Sequence, residues 1–155
     1  MNLIYKKADV SDIDVLTQTR IHVLRTVNAL DETTDMSVVE EKSYAYYKES
    51  FQADSHVAYL VFDGDVIAGT GGISFYEVMP TYHNPTGKKA YIMNMYTHPD
   101  YRRNGIATKM LDLLVGEATK RGISFISLEA TDMGKALYIK YGFVSMQDEM
   151  LLQVK

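Results

Sequence analysis

The run Arg102-Arg103-Asn104-Gly105-Ile106-Ala107 contains the residue types of an anion-binding loop. Glycine lets the backbone approach a bound group closely, and the two arginines add positive charge. Directly downstream, Ile106, Met110, Leu114 and Ala118 recur every four residues, with Ala107, Leu111 and Val115 beside them. That period predicts a helix with one apolar face. The N–H groups of its first turn have no partner within the helix, and its dipole favours negative charge there. The chemistry implied is phosphate binding. Two common phosphate loops are excluded. No G-x-x-x-x-G-K-[ST] run is present, and Gly69, Gly71 and Gly72 lack the G-x-G-x-x-G spacing of a dinucleotide fold.

The elements around this loop follow from local patterning. Ala90 to Tyr96 reads as a buried strand, and Thr97-His98-Pro99-Asp100 as a turn. Before them, the sequence predicts a strand over Leu3–Lys7 and a helix capped by Ser11 and ending near Asn28. A second helix is predicted from about Ser37 to Phe51, then strands over Val57–Phe62 and Val66–Glu77 joined by the turn Asp63-Gly64-Asp65. After the loop, the long helix ends at Lys120-Arg121-Gly122, with cations and a glycine at its C-terminus. A fifth strand is predicted over Ile123–Glu129 and a short helix over Met133–Lys140. A closing hairpin is predicted from Gly142-Phe143-Val144 and Met150–Val154. The result is one mixed α/β sheet flanked by helices, without repeats or linkers.

A chain of 155 residues with 46% hydrophobic and 23% charged content has the proportions of one ordinary globular domain. No apolar run approaches the roughly 20 residues that cross a bilayer, and the N-terminus lacks a signal-peptide pattern. With no cysteine there is no disulfide, thiol nucleophile or thiolate metal site, and the expected compartment is the cytoplasm. A net charge of −4 argues against nucleic acid as the main partner. The histidines His22, His56, His83 and His98 show no metal-ligand spacing, so no metal is expected.

Arg102-x-x-Gly105-x-Ala107 and the later Leu137-Tyr138-Ile139-Lys140-Tyr141-Gly142-Phe143 together resemble the R/Q-x-x-G-x-G/A loop and "LYxxxGF" segment of the GNAT superfamily of acyl-CoA-dependent N-acyltransferases. The likeness extends over essentially the whole chain as one domain. It implies an α/β fold with a mixed, mostly antiparallel central sheet, whose strands four and five splay apart. It also implies acetyl-CoA as acyl donor, with an amine acceptor attacking directly in a ternary complex, and it leaves a homodimer open.

Carried onto this chain, the resemblance places the pantetheine arm on Met95, Tyr96 and Thr97. The pyrophosphate falls on the loop Arg102, Arg103, Asn104, Gly105, Ile106, Ala107 and Thr108. Tyr138 is then the acid that protonates the departing thiolate. Two positions depart from the family pattern. Thr131 stands where many members have asparagine, and Met93 or Asn94 where many carry a glutamate base. The base is sought instead among Glu129, Glu77, His98 and His83, or in water, with Glu129 the first choice because it sits where the strands part. Arg20, Leu24, Asn28, Tyr44, Tyr47, Tyr76 and Tyr82 are expected to wall the acceptor pocket. A small amine or amino-acid-like acceptor is the leading expectation, and a protein N-terminus or lysine the alternative. A non-catalytic acyl-CoA sensor is a reading from a different class, and a nucleotide-binding regulatory domain is a further one.

Overall fold

Val57, Tyr59 and Val61 alternate with Ala58 and Leu60, and all five are buried. Successive strand residues point to opposite faces, so this strand must be covered on both sides. The computed structural model, which describes residues 1–155, shows how. A five-stranded sheet runs in the order β1 (Leu3–Lys7), β2 (His56–Asp63), β3 (Val66–Glu77), β4 (Lys88–Thr97) and β5 (Ile126–Leu128). Every pairing is antiparallel except the last, β4 with β5. On one face, α3 (Ile106–Lys120) lays Ile106, Met110, Leu114 and Ala118 against Val57, Tyr59 and Val61. On the other, α1 (Ile13–Val27) and α2 (Ser37–Gln52) bring Ile13, Leu16 and Tyr47 onto Ala58 and Leu60. A short α4 (Lys135–Tyr141) follows β5. No helix is long and apolar enough to cross a membrane.

The glycines of β3 set how close α3 lies. A Cβ at Gly71 would stand 2.4 Å from Met110 Cγ, and one at Gly69 would stand 2.9 Å from Ile106 Cγ2. The helix therefore sits directly on β3 backbone, with Met110 fully buried. Its far end is tied by Glu117, whose carboxylate accepts from Lys7 Nζ (3.0 Å) and the Tyr59 hydroxyl (3.2 Å).

β4 departs from regular pairing with β3 at one point. Thr70 pairs with Tyr96 and Gly72 with Met93, so Gly71 alone faces Asn94 and Met95. This is a β-bulge, and Asn94 adopts the left-handed region at φ +57°. Asparagine tolerates that region better than most residues because of its short polar side chain. The Thr70 hydroxyl donates to the Asn94 carbonyl at 2.7 Å, satisfying the group displaced from the ladder. On the other edge of β4, pairing with β5 stops at Ile92 opposite Leu128. Beyond it β4 runs on to Thr97 with no strand beside it, which is the expected splaying of strands four and five.

Three expectations need correction. The lead into α1 is capped by Asp9, not Ser11. Asp9 accepts from the Ser11 N–H, and the Asp12 carboxylate accepts from the Asp9 N–H in return, a reciprocal capping box. The fifth strand covers Ile126–Leu128 instead of Ile123–Glu129, because the Ile123 N–H is drawn back to Ala118 to close α3. The closing hairpin does not form. Gly142 at φ +128° ends α4, and the Phe143 N–H donates back to Tyr138, so the start of the supposed first strand is used as a helix cap. Residues 144–155 make no backbone hydrogen bond, and Met150, Leu151, Leu152 and Val154 are exposed. A two-stranded ribbon with so short a first strand has little to hold it.

Gly71→Ala pushes a methyl group into a filled space, and the expected cost is about 1–3 kcal/mol. Urea denaturation followed by circular dichroism checks this; an unchanged midpoint would mean that α3 is not seated on β3 as described.

Candidate active site

Two regions with a capacity for chemistry lie along β4. The first is the loop into α3. Arg103 and Gly105 both have positive φ, +64° and +75°. The Asn104 amide donates to the carbonyls of Tyr101 (2.9 Å) and Arg102 (3.1 Å), gathering them to the inner side of the turn. The consecutive backbone N–H groups from Arg103 to Thr108 have no acceptor in the protein, and the first helical bond here is Lys109 N–H to Gly105. A Cβ at Gly105 would meet nothing within 4 Å, so open space lies over the loop. Arg102 and Arg103 are exposed and stand in no salt bridge. Ile106 is buried against the core and Ala107 half-buried, while Asn104 and Thr108 remain exposed. A row of unpaired donors at a helix N-terminus, with two free cations, is suited to a polyanion such as a pyrophosphate.

The second region is a cavity of about 320 Å³ between α1, α2 and the sheet. Met93 and Asn94 both line it. In a regular strand neighbours face opposite ways, and the bulge is what permits both to reach one side. Arg20 of α1 donates to Asn94 Oδ1 at 3.2 Å. On the α2 side, the Tyr46 hydroxyl lies 2.7 Å from Ser74 Oγ and 3.2 Å from His56 Nδ1. Burial pushes the His56 imidazole down to about 4, so it is neutral at pH 7 and a weak base. Burial likewise pushes the Tyr47 phenol up to about 12, despite the opposing influence of Arg20, so it stays protonated.

Between these regions lie Met95, Tyr96 and Thr97, on the part of β4 that has no β5 beside it. The Tyr96 hydroxyl lies 3.4 Å from His22 Nε2 of α1. Glu129 is the next residue after the last β4–β5 pair and is exposed. It lies beside Tyr91, whose phenol is raised by burial and by the Glu129 charge, against the opposing effect of Arg20. Tyr138 is half-buried in α4, its ring edge-on to Phe143 at 5.9 Å, and its hydroxyl has no hydrogen-bond partner. Burial raises its pKa, so it remains a phenol that can give up a proton only to a strong base. Gly134 lets this ring cross the start of α4, since a Cβ there would stand 3.0 Å from Tyr138 Cε2.

Among the expected pocket residues, Arg20 and Tyr47 line the cavity. Tyr44 instead lines a depression on the other side of α2, and Tyr82 is 93% exposed. Of the other base candidates, Glu77 and His83 are exposed, and His98 Nδ1 accepts from the Asp100 N–H as a turn cap. Thr131 is also structural: its carbonyl and hydroxyl both accept from the Gly134 N–H, building the first turn of α4. Tyr46, which the sequence offers with Tyr44 and Tyr47 as a pocket tyrosine of the second helix, lines the cavity, whereas Lys42, His56 and Ser74 were not expected there. The i, i+4 relation of Lys42 to Tyr46 marks one α2 face and is a signal that could have found Lys42.

A model of the acetyltransferase (GNAT) family matches residues 24–143. The chain belongs to that family. A crystal structure of a "predicted acetyltransferase with acetyl-CoA" from Clostridium acetobutylicum is 36% identical, with a TM-score of 0.89, covering 98% of this chain and 96% of that one. A GCN5-related N-acetyltransferase from Ralstonia eutropha shares the fold at 22% identity and a TM-score of 0.83, covering 99% of each chain. The mouse thialysine N-epsilon-acetyltransferase is 31% identical over 85 residues, which span 55% of this chain but only 47% of the mouse protein. The ribosomal protein bS18 alanine N-acetyltransferase of Escherichia coli K12 is 26% identical over 128 residues, 77% of this chain and 81% of that one.

In this GNAT chain, Gly105→Val places a β-branched side chain at φ +75° and fills the space over the loop. Acetyl-CoA affinity is expected to fall at least about tenfold, since each 1.4 kcal/mol of lost contact is a factor of ten. Calorimetric titration measures this, with circular dichroism as the check on folding. A folded variant of unchanged affinity would remove the loop from the donor site.

Proposed function

We propose that this protein transfers the acetyl group of acetyl-CoA to the primary amine of a small, amino-acid-like acceptor, by direct attack in a ternary complex. The observation that carries the reading is the continuity of β4. Its free edge joins a loop of unpaired N–H donors at one end to an open cavity at the other. In this reading Arg103 to Thr108 bind the pyrophosphate, with Arg102 adding charge. Met95, Tyr96 and Thr97 offer the backbone of the strand to the pantetheine arm.

Acetyl-CoA supplies a thioester that is already reactive, so the protein's work is placement and proton transfer. An alkyl amine of pKa about 10.4 reaches the site as ammonium and must lose a proton before it can attack. Glu129, at the mouth of the gap, takes that proton directly or through water. The amine nitrogen then bonds to the thioester carbon, the carbon–sulfur bond breaks with its electron pair on sulfur, and the nitrogen sheds its second proton to water to become the amide. The Tyr138 hydroxyl gives its proton to that sulfur and regains one from solvent. The half-buried hydroxyl has no competing partner, so it is free to hydrogen-bond the sulfur as negative charge develops there.

Thiol release with acetyl-CoA and a panel of amines tests the activity as a whole, and amine-dependent release is the expected result. Acetyl-CoA binding without release would favour an acyl-CoA sensor. Tyr138→Phe is expected to lower kcat about 10- to 100-fold with acetyl-CoA affinity unchanged. Unaltered kcat would place the acid elsewhere. Glu129→Gln is expected to lower kcat/KM at neutral pH by about tenfold or more, and less so at high pH, where the amine deprotonates without help. A variant as fast as the parent would leave water as the base.

A further inference from the structure

The cavity beside Asn94 carries positive charge that the protein does not neutralise. Arg20 reaches it from α1 and Lys42 from α2, and no aspartate or glutamate is among its lining residues. Neither cation stands in a salt bridge. Arg20 makes one hydrogen bond, from its guanidinium to Asn94 Oδ1. A guanidinium carries five N–H donors in a planar fork, so most of them remain available to a ligand. Burial lowers the Arg20 pKa, a sign that its charge is held away from water, while the neighbouring Tyr47 and Tyr91 phenols oppose that shift.

The chain as a whole has a net charge of −4, so a carboxylate-free cavity with two cations is a local exception. Helix α2 separates the charges by face. Glu40 and Glu41 turn to the outer depression with Asp14, while Lys42, Tyr46 and Tyr47 turn inward. An acceptor that was only a cation would meet two like charges here. An acceptor that also carries an anion would complete them.

Resting on the acetyl-transfer reading of the same site, we infer that Arg20 and Lys42 hold the carboxylate of the acceptor, which is a free amino acid or close analogue and not a peptide N-terminus. Carboxylate geometry matches the guanidinium fork, and the bond to Asn94 fixes the orientation of that fork. Lys42 adds a second, point-like charge. A cavity of about 320 Å³ suits a small molecule. Arg20 touches the strand whose free edge holds the donor arm in this reading, so the anion is bound close to the reacting groups. The acceptor's amine and carboxylate are then separated by a short linker.

The test compares each free L-amino acid with its own carboxamide and methyl ester, which keep the amine but lose the negative charge. In acetyl-CoA-dependent thiol release, the acid is expected to exceed the amide in kcat/KM by roughly 10- to 100-fold, the range for a hydrogen-bonded charge contact. Arg20→Gln is expected to abolish that ratio by slowing the acid alone, Arg20→Lys to restore part of it, and Lys42→Gln to reduce it less. Amides or esters used as well as acids by the parent protein would overturn the inference, as would a ratio unaltered in folded Arg20→Gln. Calorimetric binding of N-acetyl amino acids and their amides in the presence of CoA gives the same ratio without turnover. Absent turnover with that binding ratio intact would overturn acetyl transfer and keep the anion site. Turnover without any acid preference would overturn the anion site and keep acetyl transfer.

Discussion

One extra residue in β4 sets the geometry of the site. Because Gly71 faces both Asn94 and Met95, the strand cannot keep its alternation past Met93. Met93 and Asn94 thereby face the same cavity, and the Asn94 amide becomes the anchor for Arg20. The bulge sits two residues beyond the last pair with β5, so the strand changes twist near the point where its outer edge becomes free. Its internal cost is contained. The displaced carbonyl is taken up by the buried Thr70 hydroxyl, and asparagine enters the left-handed region with less strain than most side chains.

Packing and chemistry are joined through α3. The apolar face of this helix covers β2 and β3, and the absence of side chains at Gly69 and Gly71 lets it lie against strand backbone. That seating fixes where the helix begins and therefore where the unpaired donors of Arg103 to Thr108 point. The last turns are held by the Glu117 contacts with Lys7 and Tyr59, so both ends of α3 are located by the sheet. The loop is consequently a rigid extension of the core, with its arginines free at the surface.

Local chemistry made much of this readable in advance. The bounds of β3 and of α3 follow from a turn signal and from a four-residue apolar repeat, both short-range patterns. The position of the loop was legible because a turn signal at Thr97-His98-Pro99-Asp100 and the apolar repeat from Ile106 bracket it. The bulge was not, because Asn94 lies within a continuous apolar run with no glycine or proline to mark it. The inward face of α2 was hidden for another reason: its residues are polar and mixed, and only the packing of the helix decides which two of three nearby tyrosines face the cavity. The closing hairpin failed because the apolar run at Met150–Val154 states a preference, whereas a strand needs a partner that local sequence does not supply.

The φ of +57° at residue 94 has an evolutionary consequence. Backbone geometry filters the amino acids available there before function acts on them. Glycine, asparagine and aspartate pass easily, while glutamate and the β-branched residues meet a penalty. A lineage carrying this bulge can therefore recruit a carboxylate at the centre of its site by one conservative step, Asn94 to aspartate. That step would also place a negative group against Arg20, trading an open cation for an internal ion pair. The charge of the cavity and the conformation of its strand are thus coupled at a single position.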